Sequence, residues 1–385
     1  MKTNLKKLLY SGVTLMSLVV LAACSSTSSS TTTSSSAATS QTSVATISNN
    51  STSSDSSSST IDWSALPTTE VTLSNDGLKI TEGGTYILTG STTAGVTVET
   101  DANVRIILAG AEISSSDTAA INVINADNVE LEIKDGTTNT VKDTSNHTDT
   151  NIEGAIHVEA DLTITGNGSL TVEGNFQDGI VSTDDLVVNS GNITVTAVDD
   201  GIRGKDSLTI NGGTINVTAG GDGIKSTNDT DTTKGYTTIT GGDITVKAGD
   251  DAIKAETALT IDGGTITVPE SVEALEGTNI TINGGTIDVY GSDDAINASS
   301  TTSSDIYIKV TGGDLKVAVG SGDTDAFDAN GDIYISGGTI AVTAPTSAFD
   351  FDGTAELTGG TVTVNGEQIT QIVATGPGAG GHGGW

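Results

Sequence analysis

Residues 258–268 read Ala-Leu-Thr-Ile-Asp-Gly-Gly-Thr-Ile-Thr-Val, and this stretch contains the pattern that decides the fold. A short run of alternating apolar and polar residues ends at a Gly-Gly pair, and a second alternating run follows it. Alternation with a period of two is typical of β-strands that bury one face. A pair of glycines between two such runs indicates a tight turn. The stretch therefore predicts a strand, a turn and a second strand.

This unit recurs along most of the chain. Each copy is followed by a third short run that begins with Asp, Gly or Ala, and Ile, as in Asp222-Gly223-Ile224 and Asp251-Ala252-Ile253. One such repeat cannot bury its own apolar face, so repeats of this kind stack and form a continuous core. We predict an all-β fold, a parallel β-helix built as a solenoid of three-strand coils of about 22 residues. The Gly-Gly pairs begin at Gly212, Gly241, Gly263, Gly284, Gly312, Gly337 and Gly359, at intervals of 29, 22, 21, 28, 25 and 22 residues.

The composition limits the possible partners. The 385 residues include 49 Asp or Glu and only 15 Lys or Arg, which gives a formal net charge of -34. A field of that sign excludes nucleic acid as a natural partner. The 3% of aromatic residues and the 48 glycines argue against a mixed α/β core, and the single cysteine excludes an internal disulfide.

The N-terminal segment carries a targeting pattern rather than a fold. Lys2, Lys6 and Lys7 precede an apolar run over residues 8–22, and the run ends in Leu21-Ala22-Ala23-Cys24. This ending resembles the lipobox of bacterial lipoproteins. The resemblance implies cleavage before Cys24, lipidation of Cys24, and anchoring on the extracytoplasmic surface of the bacterial cell membrane. An ordinary signal peptide with an incidental cysteine is the alternative.

Composition also predicts the domain boundaries. Residues 1–23 are the predicted lipoprotein signal peptide, and residues 24–60 are the lipidated cysteine with a Ser/Thr-rich linker too polar to bury a core. Residues 61–110 are predicted to form an N-terminal cap and the first strands, and residues 111–367 the parallel β-helix. Residues 368–385 form a Gly-rich tail.

An acid opens the third strand of almost every repeat, and a second acid often precedes it. Equivalent residues of stacked coils lie about 4.8 Å apart, where two carboxylates repel by about 3–4 kcal/mol at an effective dielectric constant of 20. Such a row must bind protons, cations or a metal, and calcium suits oxygen-only ligands. With 3 His and 1 Cys, zinc is not expected. The metal-ligand candidates are Asp178, Asp199, Asp200, Asp222, Asp250, Asp251, Asp293 and Asp294.

A simpler interpretation of the acids stays open, because Asp beside Gly is a common turn pair. The doubled acids supply more charge than turn geometry needs, which favours calcium. Three consecutive coils carry a basic residue directly after the Ile of the third strand, and these residues are Arg203, Lys225 and Lys254. These candidate carbohydrate-binding residues form either a salt-bridge lattice with the acids or a strip that binds an anionic ligand.

Residues 174–182, 198–205 and 220–226 resemble the bacterial calcium-binding, carbohydrate-binding β-helix domain family. The characterised type binds cellulose and acidic sugars such as polygalacturonate, and the likeness covers about residues 65–365. The resemblance implies a right-handed helix, similar in shape to calcium-dependent pectate lyases, with calcium held by the stacked Asp turns. Glu273 departs from the row of aspartates, and the turn before it contains Pro269. The implied ligands are Asp178, Asp199, Asp200, Asp222, Asp250 and Asp251.

The leading functional hypothesis is a non-catalytic, calcium-dependent cell-surface protein that binds extracellular polysaccharide. Acidic polysaccharide such as polygalacturonate is the preferred candidate, and cellulose is a second. Plausible aromatic residues for sugar stacking are few, and they are Phe176, Tyr290, Tyr307 and Tyr334.

Two alternatives come from other functional classes. One is a calcium-dependent pectate-type polysaccharide lyase, in which Lys225, Lys254 or Arg203 removes the proton. The other is a calcium-stiffened surface spacer or adhesin that has no sugar ligand.

Overall fold

The structure, a computed structural model, describes residues 61–322 and 324–375. The predicted signal peptide, Cys24 and the linker up to residue 60 lie outside the described residues, as do residues 376–385 of the predicted tail.

Within these ranges the chain forms one 3₁₀ turn, Trp63–Ala65, and 34 β-strands. The first seventeen strands are β1 Thr68–Leu73, β2 Leu78–Ile80, β3 Gly84–Thr92, β4 Val96–Glu99, β5 Val104–Ser114, β6 Ile121–Asn125, β7 Asn128–Ile133, β8 Thr138–Lys142, β9 Gly154–Val158, β10 Asp161–Gly166, β11 Ser169–Gly174, β12 Asp178–Ser182, β13 Asp185–Val188, β14 Asn192–Ala197, β15 Ile202–Gly204, β16 Ser207–Ile210 and β17 Thr214–Ala219. The others are β18 Ile224–Ser226, β19 Tyr236–Ile239, β20 Asp243–Lys247, β21 Ile253–Ile261, β22 Thr265–Glu270, β23 Leu275–Ile282, β24 Thr286–Gly291, β25 Ile296–Ala298, β26 Tyr307–Val310, β27 Asp314–Val319, β28 Asp325–Ala329, β29 Asp332–Ile335, β30 Thr339–Thr343, β31 Ser347–Phe351, β32 Ala355–Leu357, β33 Thr361–Val364 and β34 Glu367–Ile369.

The strands pair in parallel with their equivalents in the neighbouring coils. β14, for example, pairs with β17, and β17 pairs with β20, so that Ile193, Ile215 and Ile244 lie in register. The pairing joins all the described strands into one solenoid-like sheet. The prediction of an all-β, parallel, repeating fold is confirmed. The right-handed sense of the helix stays a prediction.

Register places like residues on like residues inside the solenoid. The third strands contribute one continuous ladder of buried apolar side chains, in which every member is at most 2% exposed. The ladder ends with Phe327 and Phe349, whose rings stack with centroids 5.2 Å apart. Full burial of each such side chain contributes about 1.5–3 kcal/mol relative to exposure, so the ladders supply most of the driving force for stacking. The members are Val96, Ile121, Ile156, Ile180, Ile202, Ile224, Ile253, Leu275, Ile296, Phe327 and Phe349.

The Gly-Gly pairs are required for two different reasons. The second glycine has a positive φ in all seven pairs, for example 92° at Gly264 and 95° at Gly285. Residues with a Cβ avoid that region. The first glycine lies against the preceding coil, and a Cβ at Gly263 would come 2.8 Å from the carbonyl oxygen of Thr240. The repeat of about 22 residues that is visible in the sequence therefore records one tight turn per coil.

The two ends of the solenoid differ. β1 pairs with β3 and begins the stack, whereas β34 folds back antiparallel to β33. After β34 the chain returns to the last coil, where Thr375 donates its backbone N–H to the Phe349 carbonyl at 3.0 Å. Strands β5 and β34 run across the boundaries predicted at residues 110 and 367. No helix among the described residues is long and apolar enough to span a membrane.

Replacing Gly264 with Ala should lower the free energy of unfolding by about 2 kcal/mol, because the new Cβ meets both a left-handed φ and the previous coil. Gly110 is the matched control, since its φ is 87° but nothing lies within 4 Å of a Cβ there. Gly110→Ala should cost about 1 kcal/mol. Chemical denaturation of both variants measures the difference, and equal costs would show that close stacking is not what selects the glycines.

Candidate functional site

The acids that open the third strands form one row along the solenoid. Backbone hydrogen bonds place them at the same position in successive coils, immediately before or at the start of strands such as β12 and β28. Gly154 precedes the row and Ser347 follows it. We call these seven residues the inner acid row: Asp178, Asp200, Asp222, Asp251, Glu273, Asp294 and Asp325.

Carboxylates of the inner acid row cap the backbone of the next coil. Oδ1 of Asp178 accepts the Asp200 N–H at 3.1 Å, Oδ1 of Asp200 accepts the Asp222 N–H at 2.9 Å, and Oδ1 of Asp222 accepts the Asp251 N–H at 2.9 Å. Charge-assisted bonds of this kind stabilise the ionised carboxylate. The sequence left open that these aspartates stabilise turns. In the structure, one oxygen of each of the three has that function.

The second oxygens of these carboxylates face cations. Arg203, Lys225 and Lys254 follow one another in register on β15, β18 and β21, and each one pairs with two acids. All three are half-buried, which strengthens the pairs relative to exposed ones. The salt-bridge lattice that the sequence offered as one alternative is thus present. The ion pairs are Arg203 with Asp178 at 2.8 Å and with Glu153, Lys225 with Asp200 at 2.5 Å and Asp222 at 3.0 Å, and Lys254 with Asp251 at 2.7 Å and with Glu276.

Beyond Lys254 the cations stop but the acids continue. In register with Lys254 the next coils carry Glu276, Asn297 and Asp328. Among the described residues, no Lys or Arg forms an ion pair with Glu273, Asp294 or Asp328. Burial of these three acids is therefore not offset by an ion pair within the described part of the chain.

Burial shifts five of these acids toward protonation. It raises the pKa of Asp178 to about 6 and that of Asp251 to about 7, although Arg203 and Lys254 oppose the shift. Farther along the row, burial and then the neighbouring acids raise the pKa of Glu273 to about 7 and that of Asp328 to about 7. The pKa of Asp294 rises to about 6, again first through burial.

A second, exposed row of acids runs beside the first and has a different period. Asp199, Asp250 and Asp293 lie in one row with Gly221 and Val272 between them. Acids therefore occur on alternate coils, roughly 10 Å apart, which weakens their mutual repulsion. We call these three residues the outer acid row. They form no ion pair within the described part of the chain, so their carboxylates are open to solvent or a ligand.

The geometry around Gly221 fits a hard cation. Asp222, Asp250 and Asp251 each offer an oxygen within 4.8 Å of the others. A Cβ on Gly221 would lie 2.4 Å from Oδ1 of Asp199, so the carboxylate fills the space that a side chain would take. An all-oxygen donor set with irregular geometry suits calcium. A second group of the same kind consists of Asp251, Glu273 and Glu276.

The sequence missed several acids of this site. Glu276 and Asp328 follow the cation row in register, and counting three residues beyond each inner acid would have found them. Glu153 lies on a long loop before β9, and it was not recognisable because its contact with Arg203 spans 50 residues.

A family model for carbohydrate-binding domain-containing proteins matches residues 74–326, which is well over half of the chain and includes both acid rows up to Asp325. The chain belongs to the family of carbohydrate-binding domain-containing proteins. The carbohydrate-binding part of the predicted family is confirmed, whereas calcium binding and lipid attachment stay predictions.

Two known proteins are similar to this carbohydrate-binding domain. A carbohydrate-binding domain-containing protein of Acetivibrio thermocellus is 33% identical over 135 residues, which cover 33% of this chain and 47% of the relative. The match thus spans about half of that relative's length. A solved structure described as the polysaccharide lyase-like protein from C. thermocellum, in a gadolinium derivative, is 34% identical, with a TM-score of 0.50. The alignment covers 52% of this chain and 90% of that one.

The aromatic residues predicted for sugar stacking differ in how accessible their rings are. Phe176 stacks on the buried His147 with ring centroids 4.4 Å apart, so that ring is committed to the fold. Tyr290 is 36% exposed. Tyr236, which the sequence analysis passed over, is 38% exposed.

The thermal stability of the domain without divalent ions should fall as pH rises from about 4 to about 7. Carboxyl groups with a pKa of about 6 to 7 in the folded protein and about 4 in the unfolded chain bind more protons in the native state within that window. The free energy of unfolding therefore decreases with pH. Calorimetry in the presence of chelator measures the slope.

Added calcium should raise the melting temperature by a few degrees more at about pH 8 than at about pH 5, because the carboxyl ligands are deprotonated at the higher pH. Asp251→Asn should reduce the decrease of stability with pH that is measured in chelator. Asp314→Asn should not reduce it, because Asp314 is an exposed acid that belongs to neither row. A melting temperature that rises steadily from pH 4 to 7 would contradict the assignment.

Proposed function

We propose that this domain binds acidic polysaccharide such as polygalacturonate through calcium, without catalysing a reaction. The observation that carries the proposal is the outer acid row, whose exposed carboxylates form no ion pair with the described residues and stand beside buried acids in an oxygen-only cluster. Membership of a carbohydrate-binding family supports a polysaccharide as the ligand.

Calcium resolves the electrostatic conflict in this proposal. A chain with a net charge of -34 repels a polyuronate at long range. Calcium accepts six to eight oxygen ligands, and Asp222, Asp250 and Asp251 supply only some of them. The remaining positions are available to water and to sugar carboxylates, so the ion bridges two anionic surfaces.

Arg203, Lys225 and Lys254 have a supporting role in this proposal. Each one is held between two carboxylates and so orients the inner acid row. Their side chains remain 20%, 19% and 28% exposed, and their charge offsets part of the repulsion between the inner acid row and an anionic sugar.

A polysaccharide lyase is the second candidate, because the similar structure is described as polysaccharide lyase-like. A lyase base must be unprotonated near neutral pH. Burial alone would lower the pKa of Lys225, but Asp222 and Asp200 outweigh burial and raise it. The pKa of Lys254 is also raised, because Asp251 and Glu276 outweigh its burial. Cations held in this way are poor bases, and we therefore prefer binding without catalysis.

The full chain should be retained on polygalacturonate beads in calcium and released by a chelator. Asp250→Asn should weaken retention about tenfold by removing a ligand charge, and Asp314→Asn should leave it unchanged. Absence of retention in both buffers would overturn the acidic-sugar proposal and leave the spacer or adhesin alternative. A calcium-dependent rise in unsaturated-uronide absorbance that is lost in Lys225→Met would instead establish a lyase.

We also propose that a lipid on Cys24 anchors the domain to the extracytoplasmic surface of the bacterial cell membrane. The support is the Leu21-Ala22-Ala23-Cys24 sequence after an apolar run. Cys24→Ser should move the protein from the membrane fraction to the soluble fraction, because one acyl-bearing residue supplies the attachment. Fractionation followed by immunoblotting measures this, with Ser25→Ala as the control. A variant that stays in the membrane fraction would refute lipid anchoring through Cys24.

A further inference from the structure

Two long loops leave the solenoid at the same position of the coil. One covers residues 227–235, between β18 and β19, and the other covers residues 299–306, between β25 and β26. On the two coils between them the chain has no loop there, because β21 and β23 run on without a break. The loops therefore form two walls, and the continuous strands form the floor of a groove between them.

The groove is large enough for a small ligand. It consists of two adjoining cavities of about 360 and 310 Å³ that share Asp229, Glu256 and Thr278 in their lining. Volumes of this size lie at the lower end of the range for ligand sites. One end of the groove reaches Lys254 and Glu276, and no residue of the inner or outer acid row lines it.

An aromatic side chain stands in the wall of the groove. Tyr236 begins β19 and is 38% exposed in a chain that has only 6 tyrosines. Ala258 lies at the equivalent place on the next coil, where its small side chain leaves room beside the ring. Sugar rings pack their apolar faces against aromatic rings, and the tyrosine hydroxyl stays free for solvent or a hydrogen bond.

The polar lining selects the charge of the ligand. Asp229, Asp231 and Glu256 are exposed acceptors, a further acid, Glu276, lies at one end, and most of the other polar groups are hydroxyls and amides of Ser, Thr and Asn. The one lysine, Lys254, is already paired with Asp251 and Glu276. An anionic sugar would be repelled here, whereas the hydroxyl groups of a neutral sugar can donate to the carboxylates.

Both walls are held in place by their own hydrogen bonds. Oδ1 of Asn228 accepts the backbone N–H groups of Thr230 at 3.2 Å and Asp231 at 3.0 Å, while its Nδ2 donates to Asp206 at 2.6 Å. In the second loop, Oγ of Ser300 accepts the N–H groups of Thr302 and Ser303. A wall that is already ordered costs little conformational entropy on binding.

We propose that this groove is a second saccharide site, which takes a neutral pyranose ring stacked on Tyr236 with its hydroxyls donated to Asp229, Asp231 and Glu256. The site shares with the proposed function only the class of ligand, carbohydrate. It differs in charge preference and in metal dependence, since calcium plays no part in it.

Isothermal titration of the full chain in chelator tests the site, with cellotetraose, mannotetraose, xylotetraose and trigalacturonate as probes. At least one neutral tetrasaccharide should bind, and trigalacturonate should not. Tyr236→Ala should weaken binding at least about tenfold, and Tyr236→Phe should retain most of it, because the ring supplies the contact. Ile124→Ala is the control, since Ile124 is a large apolar side chain that is 43% exposed and lies outside the groove and both acid rows.

The two proposals fail separately. Absence of binding by all three neutral probes, or equal affinities of wild type and Tyr236→Ala, would overturn the groove proposal and leave calcium-dependent retention on polygalacturonate unaffected. Loss of that retention with neutral binding intact would overturn the acidic-polysaccharide proposal alone. A binding signal that requires calcium would assign the neutral sugar to the acid rows and not to the groove.

Discussion

In-register parallel stacking places each side chain about 4.8 Å from its equivalent in the next coil, and the rest of the structure depends on this spacing. For Ile, Val and Leu the spacing is favourable, because like packs on like and a continuous dry core results. At the turns the same spacing restricts which residues fit, because the backbones of successive coils lie so close together that Gly263 has no room for a Cβ. For a charge it is costly, since repetition brings like charges together.

Three features of the domain reduce the repulsion between acids in successive coils. Backbone N–H groups of the following coil bind one oxygen of several inner aspartates, and three half-buried cations bind the other. Burial then favours protonation where no cation is present, as at Asp328. The outer acids avoid the problem by appearing only on alternate coils, with Gly221 and Val272 between them. What remains is an exposed set of carboxylates whose charge is not balanced within the described residues, and this is the part of the surface suited to a divalent ion.

The solenoid also separates two kinds of surface. The acid rows follow the stacking axis and repeat with the coils, so they suit a long polymer with a repeating charge. The groove between residues 227–235 and 299–306 occurs where two insertions interrupt the repeat, and it suits a single short segment of sugar. A regular row of acids and an irregular groove can therefore coexist on one scaffold, because insertions at a turn leave the stacked strands unchanged.

The sequence by itself determined the β-class, the parallel stacking, the repeat of about 22 residues and the inner row of acids. Each of these follows from local periodicity: alternation fixes the buried face, and a Gly-Gly pair marks each turn. Only the tertiary structure decided which oxygens of the acids are engaged, because the N–H that caps Asp222 belongs to Asp251, 29 residues away. It also decided the position of Tyr236 in a groove. That position depends on how two insertions bring separate coils together, and no local pattern contains that information.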